Sequence, residues 1–249
     1  MRHIYGILTT LTALLLLAAC DTFKTQTYQD NMVMPLAEGR ADSLFYSLSL
    51  EYATGGMLIP PMEKMNQVIE QQAFDLEDVS GSLEELATTY RENLIDEYIT
   101  ENSGAANQGG VLTWEDRING MFTGSYKNWR NYQLSYYTFR GGAHGIQTVS
   151  QLVFDKKTGE LLAEAGLFAP GYEAPVAKLM QEAIRAEMEA DDPELLPLVE
   201  MEFVVPNGNF SVGESGIQWM FQPYEVGPYA LGIITATVSW EDLKPYLNK

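Results

Sequence analysis

A chain of 249 residues with 46% hydrophobic side chains is long enough to bury a sizeable core, and 34 acidic against 15 basic residues give it a formal charge of -19. Such a surface repels nucleic acid and anionic headgroups and favours cationic partners, unless the acidity serves solubility alone. A single cysteine excludes an internal disulfide framework.

Residues 1–19 read as an address. Arg2 and His3 precede an apolar run from Ile7 to Leu17, and Leu17-Ala18-Ala19-Cys20 closes it with small residues ahead of the cysteine. The run is shorter than the ~20 apolar residues of a permanent membrane span. The pattern predicts a bacterial lipoprotein signal peptide, lipidation of Cys20 and anchoring to the lipid bilayer of the cell envelope; an ordinary secretory signal is the alternative. Lipidation would leave no thiol nucleophile, and loss of Arg2 with the signal would make the mature chain more acidic still. Residues 20–42 show no apolar period and are expected to be the lipidated cysteine and a tether.

Order is expected from Ser43. Leu44, Tyr46, Leu48, Leu50 and Tyr52 alternate with Ser47, Ser49 and Glu51, the period of a strand with one wet face, ended by Gly55-Gly56. Pro60-Pro61 suits the first turn of a helix carrying Met62, Met65, Val68, Ile69 and Phe74. Ser82 with Glu85 three residues on forms a capping box for a second helix, whose apolar stripe runs Leu83, Leu86, Tyr90, Leu94, Ile95, Tyr98 and Ile99. The Gly- and Asn-rich stretch 102–110 is a loop, and strands over 114–126 and 131–139 complete a sheet backed by the two helices. Residues 43–135 form one α+β module in this reading.

Residues 136–249 form a second one, and it opens on the most demanding stretch of the chain. Tyr132, Leu134, Tyr136 and Thr138 alternate with Gln133, Ser135, Tyr137 and Phe139, so the second face of this strand is still aromatic at its end and must meet something. Gly141-Gly142 can take backbone angles closed to other residues, and His144 is the one histidine beyond the signal. A strand over 148–154 leads to a turn at Asp155–Glu160 with Gly159 at positive φ, before Leu161-Leu162 resumes and Leu167-Phe168 closes the unit. An amphipathic helix spans Pro175 to Met188 until Asp191-Asp192-Pro193 breaks it. Strands are expected at 203–205, 210–212, 217–221 and 233–238, with a short helix over 240–247. Tyr224 and Tyr229 flank Glu225 and Pro228 in an aromatic turn expected to pack near the diglycine. The whole is an α+β protein of two small antiparallel-sheet-plus-helix modules packed as one globular unit.

Several motifs together carry a resemblance. An aromatic strand, Gly141-Gly142-Ala143-His144, then Phe154-Asp155-Lys156-Lys157-Thr158-Gly159, then Leu167-Phe168, and at the end Pro223-Tyr224-Glu225-Val226-Gly227-Pro228-Tyr229-Ala230-Leu231-Gly232, occur in order. Residues 136–247 resemble the domain of unknown function found in the extracytoplasmic part of the anti-sigma factor RsiV, a lysozyme receptor, and beside the deacetylase domain of PdaC. Residues 43–135 resemble its companion domain. No stretch looks like a deacetylase domain or a transmembrane anti-sigma segment, so the resemblance implies a fold and an envelope setting without a reaction.

The residues limit the chemistry. There is no Gly-x-Ser-x-Gly elbow, no free thiol once Cys20 is lipidated, and one mature imidazole, well short of a zinc set. No metal, no cofactor and no catalytic residue is therefore assigned, and the chain is read as a non-enzyme. The expected function is a cell-envelope binding module for a protein, such as a lysozyme-like cationic protein, or for peptidoglycan, with no nucleic-acid partner. Its contact residues are expected to be Tyr137, Phe139, Arg140, Gly141, Gly142, His144, Tyr224 and Tyr229. The alternative is a carboxylate-dependent hydrolase of cell-wall glycan, which would need a placed pair of acids.

Overall fold

The computed structural model describes residues 23–55, 59–104 and 112–248. Cys20, the signal segment, Gly56 and positions 105–110 of the expected loop lie outside the described residues. In chain order the elements are β1 (Lys24–Pro35), β2 (Ser43–Gly55), α1 (Ile59–Phe74), α2 (Leu83–Asn102), β3 (Trp114–Tyr126), β4 (Trp129–Phe139) and β5 (Ile146–Asp155). There follow α3 (Glu173–Asp191), β6 (Phe210–Val212), β7 (Gly216–Phe221), β8 (Ile234–Ser239) and α4 (Trp240–Leu243).

The first sheet has the order β1-β2-β3-β4-β5. Its even-numbered positions in β2, Leu44, Tyr46, Leu48 and Leu50, are buried with Ile118, Tyr132, Leu134 and Phe154 against Met65 and Ile69 of α1 and Leu94 and Tyr98 of α2. Each such aliphatic side chain contributes about 1.5–3 kcal/mol by leaving water. Helices cover this face alone; on the odd-numbered face Trp129 and Asn131 of β4 meet the second sheet and α4, and Phe45, Ser47, Arg117 and Tyr137 lie outside that cover. Ser82 and Glu85 cap α2 reciprocally, as their spacing requires. The second sheet, β6-β7-β8, buries Ile217, Trp219 and Phe221 against Val176, Met180 and Ile184 of α3. An α+β architecture of one globular unit is therefore what the chain forms.

Four expectations are corrected. Residues 24–35, expected to lie in a tether, form the edge strand β1, paired antiparallel with β2 from Lys24↔Gly55 to Pro35↔Ser43. Tyr28, Met32 and Met34 pack on the core, but Asp30 occupies the inward position between them and is held there by Arg91 of α2, which hides the alternation in the sequence. Second, a module boundary at 135/136 would cut β4, since one continuous ladder joins β4 to β3 and β5 and carries the first sheet on to Asp155. Third, the sheet is not wholly antiparallel: β2 and β3 run parallel, because the α1–α2 pair between them returns the chain to the same end. Fourth, Phe203 ends a short 3-10 turn, Met201–Phe203, where a strand was expected at 203–205, and α4 is a single turn capped by Ser239.

Side-chain amides join the two sheets where no strand pairing does. Asn131 of β4 donates Nδ2 to the Val212 carbonyl at 2.7 Å and accepts the Val212 N–H at 3.0 Å. On β5, Asn209 accepts the Gln151 N–H at 2.7 Å and donates to the Val149 carbonyl at 2.9 Å. An amide reproduces the donor and acceptor of a peptide group, so these paired hydrogen bonds stand in for strand neighbours.

Candidate functional site

The end of β4 turns through Gly141 (φ 82°) and Gly142 (φ 94°), both in the left-handed region that favours glycine. A Cβ on Gly142 would meet nothing within 4 Å, so conformation alone calls for glycine there. Gly145 is different. A Cβ on it would lie 2.5 Å from the Tyr137 ring, so the ring of β4 rests directly on this backbone.

This turn presents His144 to Tyr229. The two rings stack with centroids 4.0 Å apart at 19°, and the Tyr229 hydroxyl donates to the Gly145 carbonyl at 2.9 Å. His144 Nδ1 lies 3.1 Å from that same carbonyl. Tyr224 adds its ring 5.6 Å from Tyr229. It is 58% exposed and sits at φ 72°, an uncommon angle for a bulky residue, in a turn fixed by the Glu225 carboxylate. That carboxylate accepts the Gln222 N–H and the Asn207 amide, each at 2.7 Å.

Beside the stack lies an open groove of 430 Å³ lined by Phe45, Thr113, Glu115, Tyr137, Phe139, Ala143, His144 and Gly145. Arg117 covers the Tyr137 ring at 4.4 Å and bonds Glu115 at 2.8 Å, so the acid and the cation on this wall neutralise each other. Past Tyr137 a second shallow groove of 280 Å³ continues over Arg117, Asn119, Ser135 and Gln147.

The structure thus brings together Tyr137, Phe139, His144, Tyr224 and Tyr229 around the diglycine. Arg140 stands apart. Its guanidinium bonds Asp116 at 2.6 Å and lies over Trp114 at 4.7 Å, both on the helix-covered face, and the Tyr90 hydroxyl completes that network on Asp116 at 3.2 Å. Its strand parity explains this: Arg140 follows the even-numbered, inward register of β4. Sequence reasoning missed Phe45, Glu115 and Arg117. The available signal was Phe45 itself, a large aromatic at an outward position between Ser43 and Ser47 of the same strand.

A further cavity of 390 Å³ at the junction of the sheets is lined by Gln151, Asn207, Asn209, Gln222 and Glu225 among others, and most of these amides are spent on the strand-like contacts described above. Glu164, 8% exposed, reaches this region and accepts the Gly208 N–H at 2.6 Å. Burial pushes its carboxyl above the usual range, against the lowering effect of Gly208, Trp219 and Tyr172 beside it. Among the described residues no group of three or more His, Cys, Asp or Glu is placed to hold a metal ion. No helix among them is long and apolar enough to cross a membrane.

Comparison with known proteins places the C-terminal part of this framework. The stretch from Ala165 through α3 and the second sheet coincides with a family model described as a protein of unknown function. Residues 165–241 match the family model DUF3298. The crystal structure of a DUF3298 family member from Bacteroides fragilis superposes with a TM-score of 0.83 at 18% identity, over 92% of this chain and 95% of that one. A DUF3298 family protein from Pseudomonas aeruginosa superposes with a TM-score of 0.70 at 14% identity, again over 92% and 95%. At these identities the likeness is one of fold, and it extends well beyond residues 165–241 to both sheets. Comparison with curated proteins gives no match. Tyr224 and Tyr229 lie inside the stretch that matches the family model, whereas Tyr137, Phe139 and His144 reach the site from the preceding sheet and its turn.

Proposed function

We propose that this protein is a non-enzymatic binding module of the cell envelope, holding a protein or a cell-wall glycan in the groove beside His144. The observation that carries the reading is the aromatic wall of Phe45, Tyr137 and Phe139 facing the Ala143-His144-Gly145 turn in an open groove of 430 Å³. Rings preset by a sheet bind a partner with little loss of side-chain freedom. Glu115 is the one carboxylate among the groove's lining residues and is bonded to Arg117, whereas glycoside hydrolysis uses two acids about 5–9.5 Å apart. This favours binding over the hydrolase alternative. The resemblance of residues 136–247 to the RsiV and PdaC domain supplies the two kinds of partner, a lysozyme-like cationic protein and peptidoglycan. The signal-like stretch before Cys20 supplies the lipid anchor.

The test is a titration of the full-length chain with a lysozyme-type muramidase at low and high salt, alongside sedimentation with peptidoglycan sacculi, for the wild type and Phe139→Ala. Binding to one of them, weakened about fivefold or more by the substitution, is expected. Failure to bind either, or binding indifferent to Phe139→Ala, refutes the reading. Mass changes in peptidoglycan fragments incubated with the protein would move the assignment to the hydrolase.

A further inference from the structure

The open face of the first sheet carries the same groove much further than its aromatic end. Strand pairing sets its outward positions in rows. One row runs Asn31, Ser47, Arg117, Tyr137 and Gln147 across β1 to β5; the next runs Gln29, Ser49, Asn119 and Ser135. Four inter-strand spacings make such a row ~19 Å wide, the length of several sugar rings. Hydroxyl and amide side chains fill these rows, and Val33, Phe45 and Phe139 form the row above with Glu115.

The charge of this face contrasts with that of the chain. Among the described residues at outward positions of β1 to β5, the charged ones are Glu51, Glu115, Arg117 and, at the far end of β5, Asp155. Glu115 and Arg117 are bonded to each other, Glu51 is held by the Phe122 N–H at 2.8 Å and by the Thr25 hydroxyl, and Asp155 accepts the Lys157 and Thr158 N–H groups at 2.8 and 2.9 Å in the turn after β5. A protein of net charge -19 has therefore kept one broad face close to neutral. Acidic self-solvation does not account for it, and a cationic or anionic ligand would find no complementary field there.

We infer that this face is a docking platform for an uncharged glycan strand, with amides and hydroxyls across β1 to β5 bonding sugar hydroxyls and Phe45, Tyr137 and Phe139 stacking on a pyranose face. Aromatic faces meet the C–H surface of a sugar ring, and flat rows of neutral donors and acceptors meet its edge. Tyr137, between the two grooves, is where the stacking end joins the polar rows. The inference rests on the reading of the His144 groove as a binding site and names its ligand class.

The test titrates the full-length chain calorimetrically with chitotetraose, cellotetraose, a heparin tetrasaccharide and tetralysine, using the wild type, Phe45→Ala and Gln147→Ala. Phe45 and Gln147 are both exposed, so melting temperatures should stay near wild type and report any variant that has lost its fold. The expected result is binding of at least one neutral tetrasaccharide, at least tenfold weaker binding of the heparin fragment and tetralysine, and about a fivefold loss in each variant. No binding of either neutral sugar overturns the inference, as does sugar binding that neither variant weakens or a preference for tetralysine. If the sugars fail while muramidase or sacculi still bind and depend on Phe139, the ligand class is wrong and the binding site stands. If nothing depends on Phe45, Phe139 or Gln147, both fall.

Discussion

Gln222 meets Val149 as a strand neighbour would: its Oε1 accepts the Val149 N–H at 2.9 Å, and its Nε2 donates to the Val149 carbonyl at 2.6 Å. With Asn209 on the same carbonyl, this clasp closes the outer edge of β5 and fixes the second sheet against the first. Gln222→Ala leaves the buried Val149 N–H without its partner, while the carbonyl keeps Asn209, and should destabilise the fold by about 1–3 kcal/mol. At this chain length that is a fall of roughly 2–4 °C in melting temperature per kcal/mol, measurable by calorimetry. An unchanged melting temperature would show that the two sheets do not depend on the clasp.

Two glycines separate conformational strain from steric exclusion. At Gly142 (φ 94°) a Cβ has open space, so Gly142→Ala should cost on the order of 1 kcal/mol. At Gly159 (φ 72°) a Cβ would lie 2.0 Å from the Pro61 carbonyl oxygen, so strain and collision add. Denaturant titration should rank Gly159→Ala well below Gly142→Ala; the reverse order would mean that the turn does not rest on α1 as described.

Glu164 makes stability depend on pH with a defined sign. Burial raises its folded-state pKa above the unfolded value of about 4.3, so the neutral form is the favoured one. Its contribution is fully present below the unfolded pKa and is lost as pH rises through the raised folded pKa. Glu164→Gln keeps the shape without the titration. Melting temperatures recorded from pH 4 to 8 should therefore fall more steeply for the wild type than for the variant, and parallel curves would rule this out.

Arg140 and His144, four residues apart, should behave oppositely. Arg140→Ala removes the cation bonded to Asp116, whose side chain is 2% exposed, and should lower stability by roughly 1–3 kcal/mol while leaving ligand binding at the groove unchanged. His144→Ala removes an exposed ring and should leave the melting temperature near wild type while weakening binding. A melt and a titration of each variant decide the matter, and the same phenotype in both would merge the two networks.

Cys20→Ala tests the anchor independently of the groove. Membrane fractionation of cells expressing the variant should find it released into the soluble envelope fraction; retention with the membranes would remove the lipid anchor from the proposed function.

Local chemistry was legible along much of the chain. The capping box of Ser82 and Glu85, the Leu44 to Leu50 alternation, the positive-φ glycines at 141, 142 and 159, and the amphipathic span of α3 each depend on residues within one turn or one strand, so their physics is written in adjacent letters. The pairing of Tyr229 with His144 was anticipated in outline, because two aromatic-rich turns with exposed rings need each other to leave water.

What tertiary structure decided was which distant groups satisfy one another. Asp30 sits inward in β1 because Arg91 is there to meet it, and that single partner turns a featureless stretch into the edge strand of the sheet. Arg140 belongs to Asp116 and not to the groove because strand parity aims it at the helices. The charge-poor outer face exists only once the strands lie in register, since each of its rows crosses four or five strands and no segment of sequence contains a row. A pattern with period two specifies which face a residue takes; only the register of neighbouring strands specifies what stands beside it.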